Sequence, residues 1–569
     1  MISYLQRAHA AVVAQLCART KPRARSALAS AAVITLVACH QGARAPIGGH
    51  RPEPIAPLMM PAAIVSVPPS LREVSAQLAD SAIGAPMWRN ARWGMLLVDV
   101  TSGDTVLSRD AGRLFMPASN QKLLTAAVAM QQLGPDFRWR TPVMLRGVQR
   151  GNLWLGDVLV VGSGDPSISN AMQGDTASRA FDPIVRALKT RGITQIVGEI
   201  VAVGDAFAGA TSGYGWEMDD ADEPYGAPVD ELLYNEGFVT VRVYGGAKVG
   251  APVRVVRWPT TAYPPIAVKI TTRDSVARRD RVRAAYDSVG ATLEVTGSVA
   301  VNDSAIVSVS YRHPNDAFRA ALRERLIANG IAFSVAPLAS SRAKRFTAHS
   351  STRRPTVAPL RTRAGDTVSD SARSDAVDTL VVLESAPLRD VLPRMQKPSQ
   401  NQIAELLFRT SGLRASGDGS ADSARAVGTR TLIALGVAAD ELVYRDGSGM
   451  SRHDYVTPRA LVTVLDAMRR APTFALFRDA LPLAGVDGNL ANRMKGTPSA
   501  GNVHAKTGTV DKARSLSGYV TTADGHQLLF SLLCNNFTVS SREVDRVAEL
   551  ILNAVAAGRA DGRTNASGR

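Results

Sequence analysis

The sequence predicts a mixed α/β fold in which one domain, of antiparallel sheet and flanking helices, is split by an inserted strand-rich pair of subdomains. Three observations carry this expectation. Helical and strand patterns mix in two separated stretches, 66–145 and 379–558. Between them, from 146 to 338, short apolar runs alternate with Gly-rich turns, as in NLWLGDVLVVGSGDPS and GEIVAVGDAF. The 569 residues are enough for several domains with sizeable cores.

Each element has its own signal. SLREVSAQLAD, 70–80, has apolar residues at helical spacing. WGMLLVDV, 93–100, and TVLSRD, 105–110, flank Thr101-Ser102-Gly103-Asp104, a hairpin turn. Pro117 precedes SNQKLLTAAVAMQQL, 119–133, a helix opening at Ser119. Ser399-Gln400-Asn401 follows Pro398 and reads as an extended loop before a helix containing Glu405. HAKTGTV reads as a strand, LSGYVTTADGHQLLFSLLCNNF as a hairpin, and SSREVDRVAELILNAVAA, 540–557, as a helix. Residues 40–65 are Pro/Gly/Ala-rich and read as a tether. Residues 339–378 are rich in Ser, Thr, Arg and Pro and read as a disordered basic linker, and 559–569 as a tail.

The net charge of +16 suggests a polyanion partner, but its distribution argues otherwise. Residues 1–64 carry seven Lys/Arg against Glu53, residues 340–364 carry seven and no acid, and 557–569 carry three Arg and Asp561. These segments hold nearly all the excess, so the folded body is close to neutral and no nucleic-acid partner is expected. The three cysteines, Cys17, Cys39 and Cys534, form no CxxC or Cys/His cluster, so no metal site is expected. At the N-terminus, Arg19, Lys21, Arg23 and Arg25 precede a short apolar stretch, 27–38. That combination is an export signal, too short for a comfortable membrane span. It ends in Leu36-Val37-Ala38-Cys39, which resembles a bacterial lipobox with Cys39 as the lipidated residue.

Three short motifs occur in order: Ser119-Asn120-Gln121-Lys122, Ser399-Gln400-Asn401 and Lys506-Thr507-Gly508. Each is weak alone. Ser341-Arg342-Ala343-Lys344 repeats the first pattern inside the linker, and only context separates the two. Ser119 opens a helix, so Lys122 stands over the same face three residues on. A serine needs a base to become a nucleophile, and a lysine serves only if its pKa is depressed by burial or a second cation. Lys506 is the expected cation. Ser399 can relay a proton to a leaving amine, and Asn401 can hold a substrate amide. Lys506, Thr507 and Thr509 can bind a carboxylate, while Gly508 admits a substrate backbone. The backbone N–H groups of Ser119 and Thr509 are the expected oxyanion donors.

The ordered set resembles that of penicillin-binding proteins and serine β-lactamases. Longer segments narrow the resemblance. PASNQKLLTAAVAM, SGDPS at 163–167, YGAPVDELLYNE at 225–236, KPSQNQIAELL at 397–407, YRDGSGMSRHDYVTP at 444–458 and AGVDGNLANRMKGTPSAGNVHAKTGT at 484–509 are similar to DacB-type class C low-molecular-mass penicillin-binding proteins. LSGYV at 516–520 extends the likeness. The separation of 280 positions from Ser119 to Ser399 fits the domains that this family inserts there. The resemblance implies a transpeptidase/β-lactamase-like catalytic domain, formed by 66–145 and 379–558. It also implies a serine D-alanyl-D-alanine carboxypeptidase, possibly also an endopeptidase, acting on peptidoglycan stem peptides that end in D-Ala-D-Ala. β-Lactams would be covalent inhibitors, Ser119, Lys122 and Ser399 catalytic, and Asn401, Lys506, Thr507, Gly508 and Thr509 substrate-binding. No cofactor is implied. Gln400, where the family often has Asp, is expected to face away. A β-lactamase, or an inactive envelope-binding protein of the same fold, are the alternatives; slow hydrolysis of a bound penicillin ester would separate the first. The location expected is the cell envelope, with the membrane reached only by a lipid on Cys39.

Overall fold

A computed structural model describes residues 71–334 and 377–560, apart from 205 and 288. The export signal with Cys39, the tether, nearly all of the 339–378 linker with its Ser341 motif, and most of the tail lie outside these residues.

The site is built on a five-stranded antiparallel sheet. Its order is His504–Val510, Ala513–Thr521, Gln527–Asn535, Arg92–Asp99 and Thr105–Arg109. Gln527–Asn535 lies at the centre, paired with Ala513–Thr521 on one side and Arg92–Asp99 on the other. Its near-continuous apolar run follows from cover on both faces. Leu529 and Leu533 join the core under the central helices, while Leu528, Phe530, Leu532 and Cys534 join the core under helices Leu71–Ile83 and Ser541–Ala557. Cys534 is thus a buried packing residue. Both expected hairpins form, and Asp99 closes the first turn by accepting from Thr101 N–H at 2.8 Å.

Two helices cross the central core. Every residue from Gln121 to Met130 of Gln121–Gln132 is buried, as is Asn401 to Gly412 of Asn401–Ser416. Helices buried all round need not be amphipathic, and their polar members must find partners inside.

Among the described residues the inserted segment forms three sheets. One has six strands in the order Ala332–Ser334, Gln195–Val197, Leu153–Val161, Arg140–Arg150 and Val377–Glu384, with Ile200–Val203 also pairing Leu153–Val161. The other two have three strands each, and helices Asp182–Thr190 and Pro314–Ala328 pack on strands of the six-stranded sheet. Their buried residues, among them Val143, Phe181, Val241, Val295 and Phe318, form one continuous core.

The sequence boundaries shift. Arg140–Arg150 and Val377–Glu384 pair with each other inside the inserted sheet, so neither belongs to the split domain. The chain leaves that domain at Trp139 and returns at Ser385. There Ser385 N–H donates to Trp139 O at 3.0 Å, and Trp139 N–H to Ser385 Oγ at 2.8 Å. Strand character alone could not reveal which sheet each strand would join.

Candidate active site

Ser119 sits in a single 3-10 turn, Ala118–Asn120, that feeds helix Gln121–Gln132. Its position just ahead of the helix is close to the expected helix start. Ala118 adopts φ +48, a strained conformation for a residue with a Cβ. The turn is pinned on both sides. Ser515 Oγ donates to Pro117 O at 2.6 Å, and Asn120 Nδ2 donates to Ser517 Oγ at 2.7 Å, which in turn donates to Ser531 Oγ at 2.9 Å.

Lys122 is fully buried. Its Nζ lies 3.0 Å from Ser119 Oγ, 2.6 Å from Asn401 Oδ1 and 2.7 Å from Ser448 O. All three partners are neutral. A buried ammonium among neutral dipoles loses its hydration without a compensating charge. Burial accordingly pushes the Lys122 pKa down to about 7, against the opposing fields of Asp446 and Glu405.

Lys506 is equally buried; its Nζ donates to Ser399 Oγ and Thr507 O, both at 2.8 Å. Burial first, and repulsion from Lys122 second, hold its pKa well below the usual lysine range. Burial is thus the leading cause at both lysines.

The middle motif is tighter than the expected extended loop. Ser399 has φ +66, and Asn401 is already the first residue of its helix. Gln400 does not idle at the surface: its Oε1 accepts from Ile403 N–H at 2.9 Å and caps that helix. Asn401 spends both ends of its amide, accepting from Lys122 and donating through Nδ2 to Tyr225 O at 2.8 Å. Both contacts fix its amide beside the lysine, at the wall of the cleft.

His504–Val510 is the edge strand of the five-stranded sheet. Ala505 N–H bonds to Pro482 O, but Thr507 and Thr509 line an open cleft of about 690 Å³, together with Ser119, Ser399 and Asn401. An open edge beside a nucleophile can pair with an extended peptide. Arg514, opposite Thr509 across the hairpin, donates to the Thr509 hydroxyl. Gly508 makes room on the protein's own side of the strand. A Cβ there would stand 2.9 Å from Ser119 N, 2.7 Å from Pro117 O and 2.1 Å from Ser515 Oγ. The glycine admits the nucleophile turn against the strand.

All eight expected residues therefore converge, from three distant parts of the chain. Sequence reasoning assigned no role to Glu405, Asp446, Ser448 or the Tyr225 carbonyl. The Gly-rich run Asp446-Gly447-Ser448-Gly449 was a signal for a tight turn. At Gly449, φ +80, a Cβ would strike Ala118 O at 1.9 Å, so this turn also presses on the nucleophile.

This architecture is that of a penicillin-binding serine hydrolase with an inserted domain. The structure resembles penicillin binding protein 4 (dacB) from Haemophilus influenzae, with a TM-score of 0.66 at 21% identity, covering 84% of this chain and 99% of that one. Residues 74–352 and 360–555 match the family described as D-Ala-D-Ala carboxypeptidase 3 (S13), and the chain belongs to it. Among curated relatives, the D-alanyl-D-alanine carboxypeptidase of Actinomadura sp. (strain R39) is 28% identical over 499 residues, 84% of this chain and 85% of the relative. The D-alanyl-D-alanine carboxypeptidase DacB of Haemophilus influenzae is 23% identical over 459 residues, 79% of this chain and 86% of the relative.

Proposed function

We propose that this serine carboxypeptidase removes the terminal D-alanine from peptidoglycan stem peptides through an acyl-enzyme on Ser119. The observation that carries the reading is the 3.0 Å contact between Ser119 Oγ and a buried Lys122 whose other partners are neutral. Once neutral, Lys122 turns a lone pair to the Ser119 hydroxyl and takes its proton as Oγ attacks the penultimate D-Ala carbonyl. The Ser119 and Thr509 N–H groups receive the developing oxyanion. Ser399, bonded to Lys506, relays to the departing amine the proton that Lys122 took, so that Lys122 and Ser399 end the step as they began it. The C–N bond breaks, D-alanine leaves, and water hydrolyses the Ser119 ester. A bound terminal carboxylate favours the charged form of Lys506, and that ammonium with the hydroxyls of Thr507 and Thr509 recognises it. A D-alanyl amide crosslink can enter the same chemistry, which would add endopeptidase activity. A β-lactam acylates the same oxygen.

The substrate places the enzyme outside the cytoplasmic membrane. Among the described residues no helix is long and apolar enough to cross a membrane. The basic-apolar N-terminus and Leu36-Val37-Ala38-Cys39 support export and lipidation at Cys39. Stable anchoring takes two or more acyl chains, which a lipoprotein cysteine carries. Fractionation beside Cys39→Ser, with mass spectrometry of the mature N-terminus, tests this; an unmodified, soluble native enzyme would refute it.

The catalytic reading is tested with a fluorescent penicillin. The native protein should form a stable adduct mapping to Ser119, and a folded Ser119→Ala none. Labelling that survives the substitution, or maps to Ser341, would sink the assignment. Rapid ester hydrolysis would mark a β-lactamase instead.

A further inference from the structure

Beneath Lys122 lies a layer of buried carboxyl groups that the acylation steps above leave unused. Glu405 stands one turn beyond Asn401 on the same helix, and its Oε1 accepts from Gly447 N–H at 3.0 Å and Ser448 N–H at 2.8 Å. Asp446 accepts from Gly449 N–H at 2.7 Å with one oxygen, and from Ser451 N–H at 2.7 Å and Trp216 Nε1–H at 2.8 Å with the other. Asp454 Oδ1 accepts from Arg445 N–H at 2.6 Å. The N–H groups of Arg445, Gly447, Ser448, Gly449 and Ser451 thus end on three buried carboxyls. The same turn presents the Ser448 carbonyl to Lys122 at 2.7 Å. Moving that carbonyl would break contacts to Glu405.

We propose that Glu405 is a positioning residue for Lys122: it fixes the Ser448 carbonyl on the lysine, and its charge sets the pH at which the lysine becomes a free base. The proposal rests on the reading of Lys122 as the base of acylation. Two of these buried carboxyls, Glu405 and Asp454, resist ionisation. Burial and then Asp446 raise both Glu405 and Asp454, while the fields of Asp446 and Glu405 oppose the depression of Lys122. The charged and titratable groups facing Glu405 are Asp446 and Asp454 of the turn, Tyr444 ahead of it, Arg409 on its own helix and Lys122 across the core. As Ser119 gives up its proton, an ammonium forms on Lys122, and an ionised Glu405 favours that product.

The test is the pH profile of penicillin acylation in the native enzyme and Glu405→Gln. Glutamine keeps an acceptor for Gly447 and Ser448 N–H but carries no charge. Losing a nearby negative charge favours neutral Lys122, so the ascending limb of the rate should move to lower pH by about one unit. A purely structural role would lower thermal stability and leave the limb in place. A folded, acylating Glu405→Gln with an unmoved limb overturns the proposal alone. A native enzyme that forms no adduct overturns the acylation reading and this one with it. Should the variant not fold, infrared spectroscopy of native enzyme carrying ¹³C-labelled glutamate decides. A glutamate ionised across the limb, or a protonated glutamic acid band that disappears as the limb rises, is expected, and a buried glutamic acid that stays protonated throughout the limb would overturn the proposal.

Discussion

At the scale of the residue, the site turns on two lysines whose environments differ. Lys122 touches the nucleophile; Lys506 touches Ser399 and the cleft edge. If Lys122 is the base, acylation needs its neutral form. With its pKa near 7, the rate should climb through neutrality as the proton leaves. Lys122→Arg, locked in the charged state, should lose about 10²–10⁴-fold in acylation while staying foldable; acylation at the native rate would exclude the role. Lys506→Ala should instead cripple turnover of peptides with a free terminal carboxylate, by about 10–150-fold for a charge-assisted contact. Native enzyme should likewise discriminate against the amidated peptide. Equal turnover of acid and amide would refute carboxylate recognition. The residue types and their order were legible in the sequence, because Ser-x-x-Lys, Ser-x-Asn and Lys-Thr-Gly are local. The carboxyls below Lys122 were not, since Glu405 and Asp446 reach it only through tertiary contacts.

At the scale of the element, backbone fit decides where the nucleophile stands. The turn at Ala118–Asn120 is wedged between the edge strand at Gly508 and the Gly449 turn. Gly508→Ala would drive a Cβ into Ser119 N and Pro117 O, backbone atoms that cannot swing aside. Displacing the reacting oxygen by about 1 Å is worth on the order of 10²-fold. Penicillin acylation of a folded Gly508→Ala should fall by about that factor, measured as a second-order rate; a native rate would mean that the strand, not the turn, gives way. The hairpins and the C-terminal helix were readable because period and turn chemistry agree there. Helices Asp182–Thr190 and Pro314–Ala328 were hidden in a region read as strands, although Pro near each start is a helix-opening signal. The Gly-rich turns around them weighed the reading toward strand.

At the scale of the whole molecule, the inserted segment is part of the site rather than an appendage. Tyr225 O receives Asn401 and Gln402, Trp216 Nε1 donates to Asp446, and Glu236 pairs with Arg394. These partners lie about 160–230 residues apart in sequence and leave no local pattern, so the sequence showed an insertion but not its grip on the catalytic residues. The Glu236–Arg394 pair is the most testable. Glu236, buried and at φ +56, makes two bonds to the guanidinium, 2.6 Å from Nε and 2.7 Å from Nη2. Arg394 belongs to helix Leu388–Gln396, which runs directly into the Ser399 turn, and Gln396 Nε2 donates to Lys122 O at 3.0 Å. Glu236→Gln should therefore cost stability and also slow acylation, since the turn carrying Ser399 loses its brace. A charged hydrogen bond of this kind contributes about 1.5–3 kcal/mol. A double-mutant cycle with Arg394→Gln, read by chemical unfolding and by penicillin acylation, should show a coupling of at least about 0.5 kcal/mol in both. Additive losses in stability would mean that the pair does not join the two parts. Coupling in stability without any in acylation would mean that the insertion holds the fold together but leaves the Ser399 turn to its other anchors.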